Sequence, residues 1–185
     1  MKRKNSSEGF TIVEVALVLA IAGLIFLMVF IALPAVQRTQ RDAKRRDDVG
    51  TLLTAIQKYQ NNNRGSLPSD PKELVTWENS QNQAGQLSWY GFYASYLGQN
   101  FEDPKGFTYK LSVGDCNAKS GESSCSFGKS VSDESASFDS NDYTMYIVKR
   151  ATCDGSQAAP SNNPKKVAVL YKMEGSGGAY CANTQ

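Results

Sequence analysis

Hydrophobic positions are distributed very unevenly along the chain. From Phe10 to Val36 the sequence is apolar apart from Thr11 and Glu14, and Val15 to Leu33 carries no polar side chain at all. At ~1.5 Å of rise per residue, that uninterrupted part makes a helix close to the ~30 Å hydrocarbon thickness of a bilayer. Gln37 to Asp48 is densely charged, with Arg38, Arg41, Lys44, Arg45 and Arg46 set against Asp42, Asp47 and Asp48. Arg38 with Asp42, Asp42 with Arg46 and Lys44 with Asp48 stand at i,i+4 spacing, so this stretch reads as a water-facing continuation of the same helix. Val49, Leu52, Leu53, Ile56 and Tyr59 then recur at three- and four-residue intervals, an apolar face suited to docking on a sheet. The periodicity breaks at Asn61-Asn62-Asn63-Arg64-Gly65. One long helix over about residues 11–60 is predicted, with residues 10–36 as its membrane-compatible half and 37–60 as its amphipathic half.

Residues 61–185 read as a globular α+β head. Asp70-Pro71-Lys72-Glu73 offers a capping aspartate and a proline at the first helical position, predicting a short helix through about Glu78. Trp89, Tyr90, Phe92, Tyr93, Tyr96 and Leu97 form an aromatic cluster, read as packing with a stacking surface for a ligand as its alternative. Phe107, Tyr109, Leu111 and Val113 alternate with Thr108, Lys110 and Ser112, a period of two that predicts a strand with one buried face. Tyr143 to Lys149 and Val167 to Met173 read as two more strands, giving a small antiparallel sheet over the amphipathic half of the helix.

Composition narrows the chemistry. The chain has 185 residues, a formal net charge of +2 and no histidine, which removes serine-histidine and cysteine-histidine catalysis and the commonest transition-metal ligand. No hydroxyl or thiol has a recognisable base partner and no glycine-rich phosphate loop follows a strand, so an enzyme is not expected. The near-neutral balance disfavours a dedicated nucleic-acid binder, although the basic residues from Arg38 to Arg46 could meet anionic lipid or DNA. Cys116, Cys125, Cys153 and Cys181 contain no Cys-x-x-Cys, so bridges are favoured over zinc, which places the head outside the cytoplasm.

A basic start at Lys2, Arg3 and Lys4 retains that flank on the cytoplasmic side of a membrane. A cleaved secretory signal competes, with Ala32-Leu33-Pro34-Ala35 as a cleavage region, but its apolar core normally spans ~7 to 15 residues. A plain membrane anchor competes too. Neither accounts for Glu14, because a carboxylate in an apolar helix costs about 2 to 3 kcal/mol unless it is paired or neutralised. If the chain is cut just before Phe10, the new α-amino group is a cation one helical turn from Glu14. An identical neighbour could present its own amine to this carboxylate, a head-to-tail contact that generates a helical array.

Gly9 followed by Phe10-Thr11-Ile12-Val13-Glu14 and an apolar helix resembles the class III signal of type IV pilins and of the related pseudopilins of type II secretion. The resemblance implies a pilin fold, with residues 1–9 as a leader, Gly9 as the last residue recognised by a membrane aspartic prepilin peptidase, and Phe10 as an N-methylated terminus. It implies that Glu14 guides assembly through a neighbour's terminal amine, and that Gly23 weakens the helix locally. Pro34 is similar to the helix proline of many members but lies three residues further on. Loss of Lys2, Arg3, Lys4 and Glu8 with the leader takes the formal charge from +2 to 0 (+2 minus 3 plus 1), which does not oppose packing of many copies. The implied partners are other copies of the chain, the prepilin peptidase, the assembly machinery and the membrane before assembly. The head would be extracytoplasmic, then exposed on a cell-surface pilus.

Four cysteines allow three pairings. Cys116 and Cys125 could close a small local loop and Cys153 could then join Cys181, tying down the carboxyl-terminal part of the head that pilins often staple, with the other two pairings left open. In a simple three-strand meander Cys153 emerges at the end of the sheet opposite the approach of Cys181, so residues 152–165 would have to double back. Residues 114–142 read as an exposed, serine-rich acidic loop. Asp133, Glu134, Asp139, Asn141 and Asp142 could surround calcium, although their order does not fit a helix-loop-helix site, and no cofactor is expected. The function expected is that of a structural subunit polymerising into a type IV pilus. A type II secretion pseudopilin, which calcium would favour, and a monomeric membrane-anchored ligand-binding head built around Trp89 are the alternatives.

Overall fold

The computed structural model describes residues 9–116, 125, 143–175 and 178–184. A single helix, α1 (Ile12–Asn62), runs through two compact units, Met1–Thr39 and Gln40–Gln185. Its bounds agree with the helical period read from the sequence. In the first unit α1 exposes its large apolar side chains from Ile12 to Val36 and is long and apolar enough to cross a membrane. In the second unit it buries one face.

The second unit continues through two short helices, α2 (Trp77–Ser80) and α3 (Trp89–Phe92), and a π-helical turn over Tyr93–Leu97. The strands are β1 (Lys110–Asp115), β2 (Thr144–Lys149), β3 (Ala151–Asp154), β4 (Gln157–Pro160), β5 (Val167–Lys172) and β6 (Ala179–Asn183). Four of them form one sheet in the order β1-β2-β5-β6, and β3 with β4 forms a separate ribbon. The architecture is α+β, a long amino-terminal helix on a small sheet with two disulfides.

The sheet is mixed, which corrects the antiparallel expectation at one edge. β1 pairs with β2 in parallel, Leu111 opposite Met145, whereas β2-β5 and β5-β6 are antiparallel. Parallel neighbours need a long crossover, and the connection from Cys116 to Tyr143 is long enough to supply one. Leu52, Ile56 and Tyr59 of α1 pack with Leu111, Met145, Ile147, Val167, Val169 and Tyr171 in the main core, which also takes in Trp89, Phe92, Tyr93 and Tyr109. The opposite face of the sheet is covered as well: Val148, Ala168 and Leu170 pack with Cys116, Cys125 and Ala151. The strands therefore bury both faces, and the uninterrupted Val167-Ala168-Val169-Leu170-Tyr171 is the corresponding pattern.

Two local expectations change. The helix expected from Pro71 starts instead after Thr76, whose side chain accepts the Asn79 N–H while Asn79 accepts the Thr76 N–H. Residues 70–75 are drawn out of helix because Val75 exchanges both backbone bonds with Leu111, at 3.0 and 2.8 Å. The strand expected from Phe107 starts at Lys110, since a turn closed by Asp103 N–H to Phe107 O at 2.8 Å precedes it. Phe107 is left 52% exposed, stacked on Tyr143 at 4.3 Å.

Candidate functional site

The amino-terminal segment is built by α1 and its first turn. Phe10 is 85% exposed, and Thr11 caps the helix by accepting the Glu14 N–H at 3.3 Å. The Thr11 hydroxyl in turn lies 3.4 Å from the Glu14 carboxylate, to which it donates. This is half of a capping box, and an acidic residue in the first turn also complements the helix dipole. Glu14 has a local reason to be there, but among the described residues no cation reaches it. The carboxylate is thus held by one hydroxyl at the edge of an exposed apolar surface. Gly23 stands on that surface with open space around it, and Pro34 lies inside the helix, where it withholds an N–H from the Phe30 carbonyl.

At the start of the second unit the charged stretch of α1 differs from its expected water-facing role. Asp42, Arg45 and Asp48 are buried. The Arg45 guanidinium grips Asp103 through Nε at 2.6 Å and Nη2 at 3.1 Å, and reaches Asp42 at 3.1 Å. Asp42 does not pair with Arg38 or Arg46; its oxygens accept the backbone N–H groups of Glu174 and Gly175 at 2.9 and 2.8 Å. Of the i,i+4 pairs, Lys44 with Asp48 forms, at 2.8 Å. Tyr109 donates to Asp48 at 2.9 Å and Tyr171 donates to Asp103 at 3.2 Å. Arg41 and Lys105 both hold Glu174.

The electrostatics follow from this packing. Burial works against the charge of Arg45, but the hydrogen bonds and negative charge of Asp103 outweigh it and raise the guanidinium pKa. Burial alone would raise Glu174, yet Lys105, Arg41 and Arg45 bring it down to about 2. Burial, reinforced by Asp48, pushes the Tyr109 phenol up. This cluster was missed at the sequence level. A signal existed: extended backwards, the stripe of Val49, Leu52, Ile56 and Tyr59 passes through Asp48, Arg45 and Asp42.

The aromatic cluster is interior. Trp89, Phe92 and Tyr93 are fully buried and Tyr90 and Tyr96 are half-buried, in keeping with the packing role, and the alternative stacking face around Trp89 is not presented to solvent. Tyr93 donates to the Tyr109 carbonyl at 2.8 Å, which ties the cluster to the sheet. The disulfides are Cys116–Cys125 and Cys153–Cys181. Residues 152–165 do double back: β3 and β4 form a hairpin that turns at Gly155, with φ of 59°, and Cys153 faces Ala158 across it. Asp133, Glu134, Asp139, Asn141 and Asp142 lie outside the described residues. Among the described residues no group of acidic or thiol side chains stands where it could hold a metal ion.

A surface depression of about 450 Å³ lies between residues 65–70 and the end of β2. Two of its cations are answered from within, Arg150 by Asp115 at 2.7 and 2.6 Å and Lys149 by Asp70 at 2.5 Å. Comparison with known protein families, curated proteins and solved structures finds no match.

Proposed function

We propose that the chain is the precursor of a structural subunit that polymerises into a type IV pilus. The observation that carries this reading is the placement of Gly9, Phe10 and Glu14 at the head of the exposed apolar part of α1, joined in sequence to a disulfide-stapled α+β head. Cleavage between Gly9 and Phe10 puts a cation beside an oily surface whose one carboxylate is held only by Thr11. A second copy then supplies what each chain lacks, an amine for Glu14 and apolar cover for Ile12 to Val36. Before assembly the same helix sits in the membrane, with the head on the oxidising side that its disulfides require. Adhesion, motility or DNA uptake are properties of the machine the subunit joins, and the chain itself does no catalysis.

Two measurements test this. Mass spectrometry of the native protein should show a methylated Phe10 as the first residue, and electron microscopy of sheared surface material should show fibres. Glu14→Ala should still insert in the membrane while fibre yield drops by about tenfold or more, the loss of one charge pair in an apolar setting. An intact Met1 with normal fibre yield in that variant would overturn the proposal.

A further inference from the structure

The buried face of α1 changes chemistry along its length within the head. Asp42, Arg45 and Asp48 occupy it first, then Val49, Leu52, Leu53, Ala55, Ile56 and Tyr59. The first part is fastened by ion pairs and hydrogen bonds to two turns, one at Asp103 to Lys105 and one at Glu174 and Gly175. The second is fastened by apolar side chains packed into the sheet core. We propose that α1 residues 41–48 and these two turns form a polar clasp that opens as a unit while the apolar seam from Val49 to Tyr59 stays docked. This goes beyond the filament reading and does not rest on it.

The two fastenings differ in what opening them costs. Undocking the seam returns large apolar surfaces to water, which is unfavourable in proportion to the area exposed. Undocking the clasp returns charges to water, and the hydration they regain offsets most of the attraction they lose. The groups that face one another are Arg41, Asp42, Lys44, Arg45 and Asp48 from α1, Asp103, Lys105 and Tyr109 from the turn before β1 and its approach, and Tyr171 and Glu174 from β5 and its turn. Counting the ionisable side chains gives four cations and four carboxylates. The clasp is charge-balanced, so it closes without a net excess of either sign.

Elements fastened in these two ways open with different free energies, the polar one first. Two amides report on it directly, because the Glu174 and Gly175 N–H groups are both bonded to the Asp42 carboxylate. A Cβ at Gly175 would stand 3.0 Å from Asp42 Oδ2, so Gly175→Ala crowds that bond without altering any charge.

The test is native-state amide hydrogen exchange on the full chain in detergent micelles. In the unmodified chain the Glu174 and Gly175 amides should be protected on the order of tenfold less than those of Leu53, Ile56 and β5. Arg45→Met should lower the protection of Glu174 and Gly175 further and leave the second set unchanged. If Arg45→Met does not fold, Gly175→Ala, read at the Glu174 amide, takes its place. Equal protection of the two sets in the unmodified chain, or a variant that lowers both together, overturns the proposal.

Discussion

At the scale of single residues, the head depends on contacts that leave little freedom. Gly91 is buried in α3, and a Cβ there would meet the carbonyl oxygens of Gln86 and Gln83 at 2.3 and 2.7 Å. Both obstacles are backbone, so the turn before α3 must move. Gly91→Ala should cost about 1 to 3 kcal/mol, read as a lower denaturant midpoint, the usual range for overpacking. Glu174 sets a pH dependence of known sign. Its pKa falls from 4.5 to about 2 on folding, so it contributes stability above pH 4.5 that is lost as the pH falls through about 2. Glu174→Gln should therefore unfold at lower denaturant than the unmodified chain at pH 7, and the difference should vanish near pH 2. A difference that persists in acid would mean that packing, and not charge, accounts for the effect.

At the scale of elements, the turn between β2 and β3 decides where the chain goes next. Arg150 adopts a left-handed φ of 54° and is tied bidentately to Asp115, which directs the chain away from the sheet into the β3-β4 ribbon. That detour carries Cys153 to Cys181 on β6, across the face occupied by Ala168 and Leu170. The two bridges are therefore unequal. Cys153–Cys181 spans a sequence separation of 28 and pins a whole ribbon, whereas Cys116–Cys125 spans 9. Replacing both members by serine should cost about 3 to 4 kcal/mol for the longer bridge and about 2 to 3 kcal/mol for the shorter, by loop entropy. Equilibrium unfolding of the two double variants would rank them, and a reversed order would show that loop entropy does not set their relative contributions.

At the scale of the whole molecule, the chain is two units of opposite solvent preference sharing one helix. Residues 12–39 bury nothing within the chain, while residues 40–185 hold the entire hydrophobic core among the described residues. The full chain should disperse only in detergent or lipid, and a chain starting at Gln40 should sediment as a soluble monomer with the same near-ultraviolet dichroism. A truncated chain that aggregates would show that the head needs the apolar segment.

Much of this was legible in the order of the residues alone, and for local reasons. The long helix, its two halves, the β5 strand and the unusual carboxylate at Glu14 are each written in neighbouring residues, because helical and strand periods repeat within a few positions. The bridge from Cys153 to Cys181 was one of three pairings the sequence allows, and neither the choice nor its path was fixed there, because both depend on a hairpin two strands away. What only the tertiary structure decided is long-range. The parallel β1-β2 pairing, the loss of helix at Asp70 to Val75's partner Leu111, and the burial of Asp42, Arg45 and Asp48 all turn on residues distant in sequence. A charged residue looks solvated when judged by its neighbours in the chain. Whether it is buried depends on partners such as Asp103 and Glu174, more than fifty residues away, that satisfy it once the chain has folded.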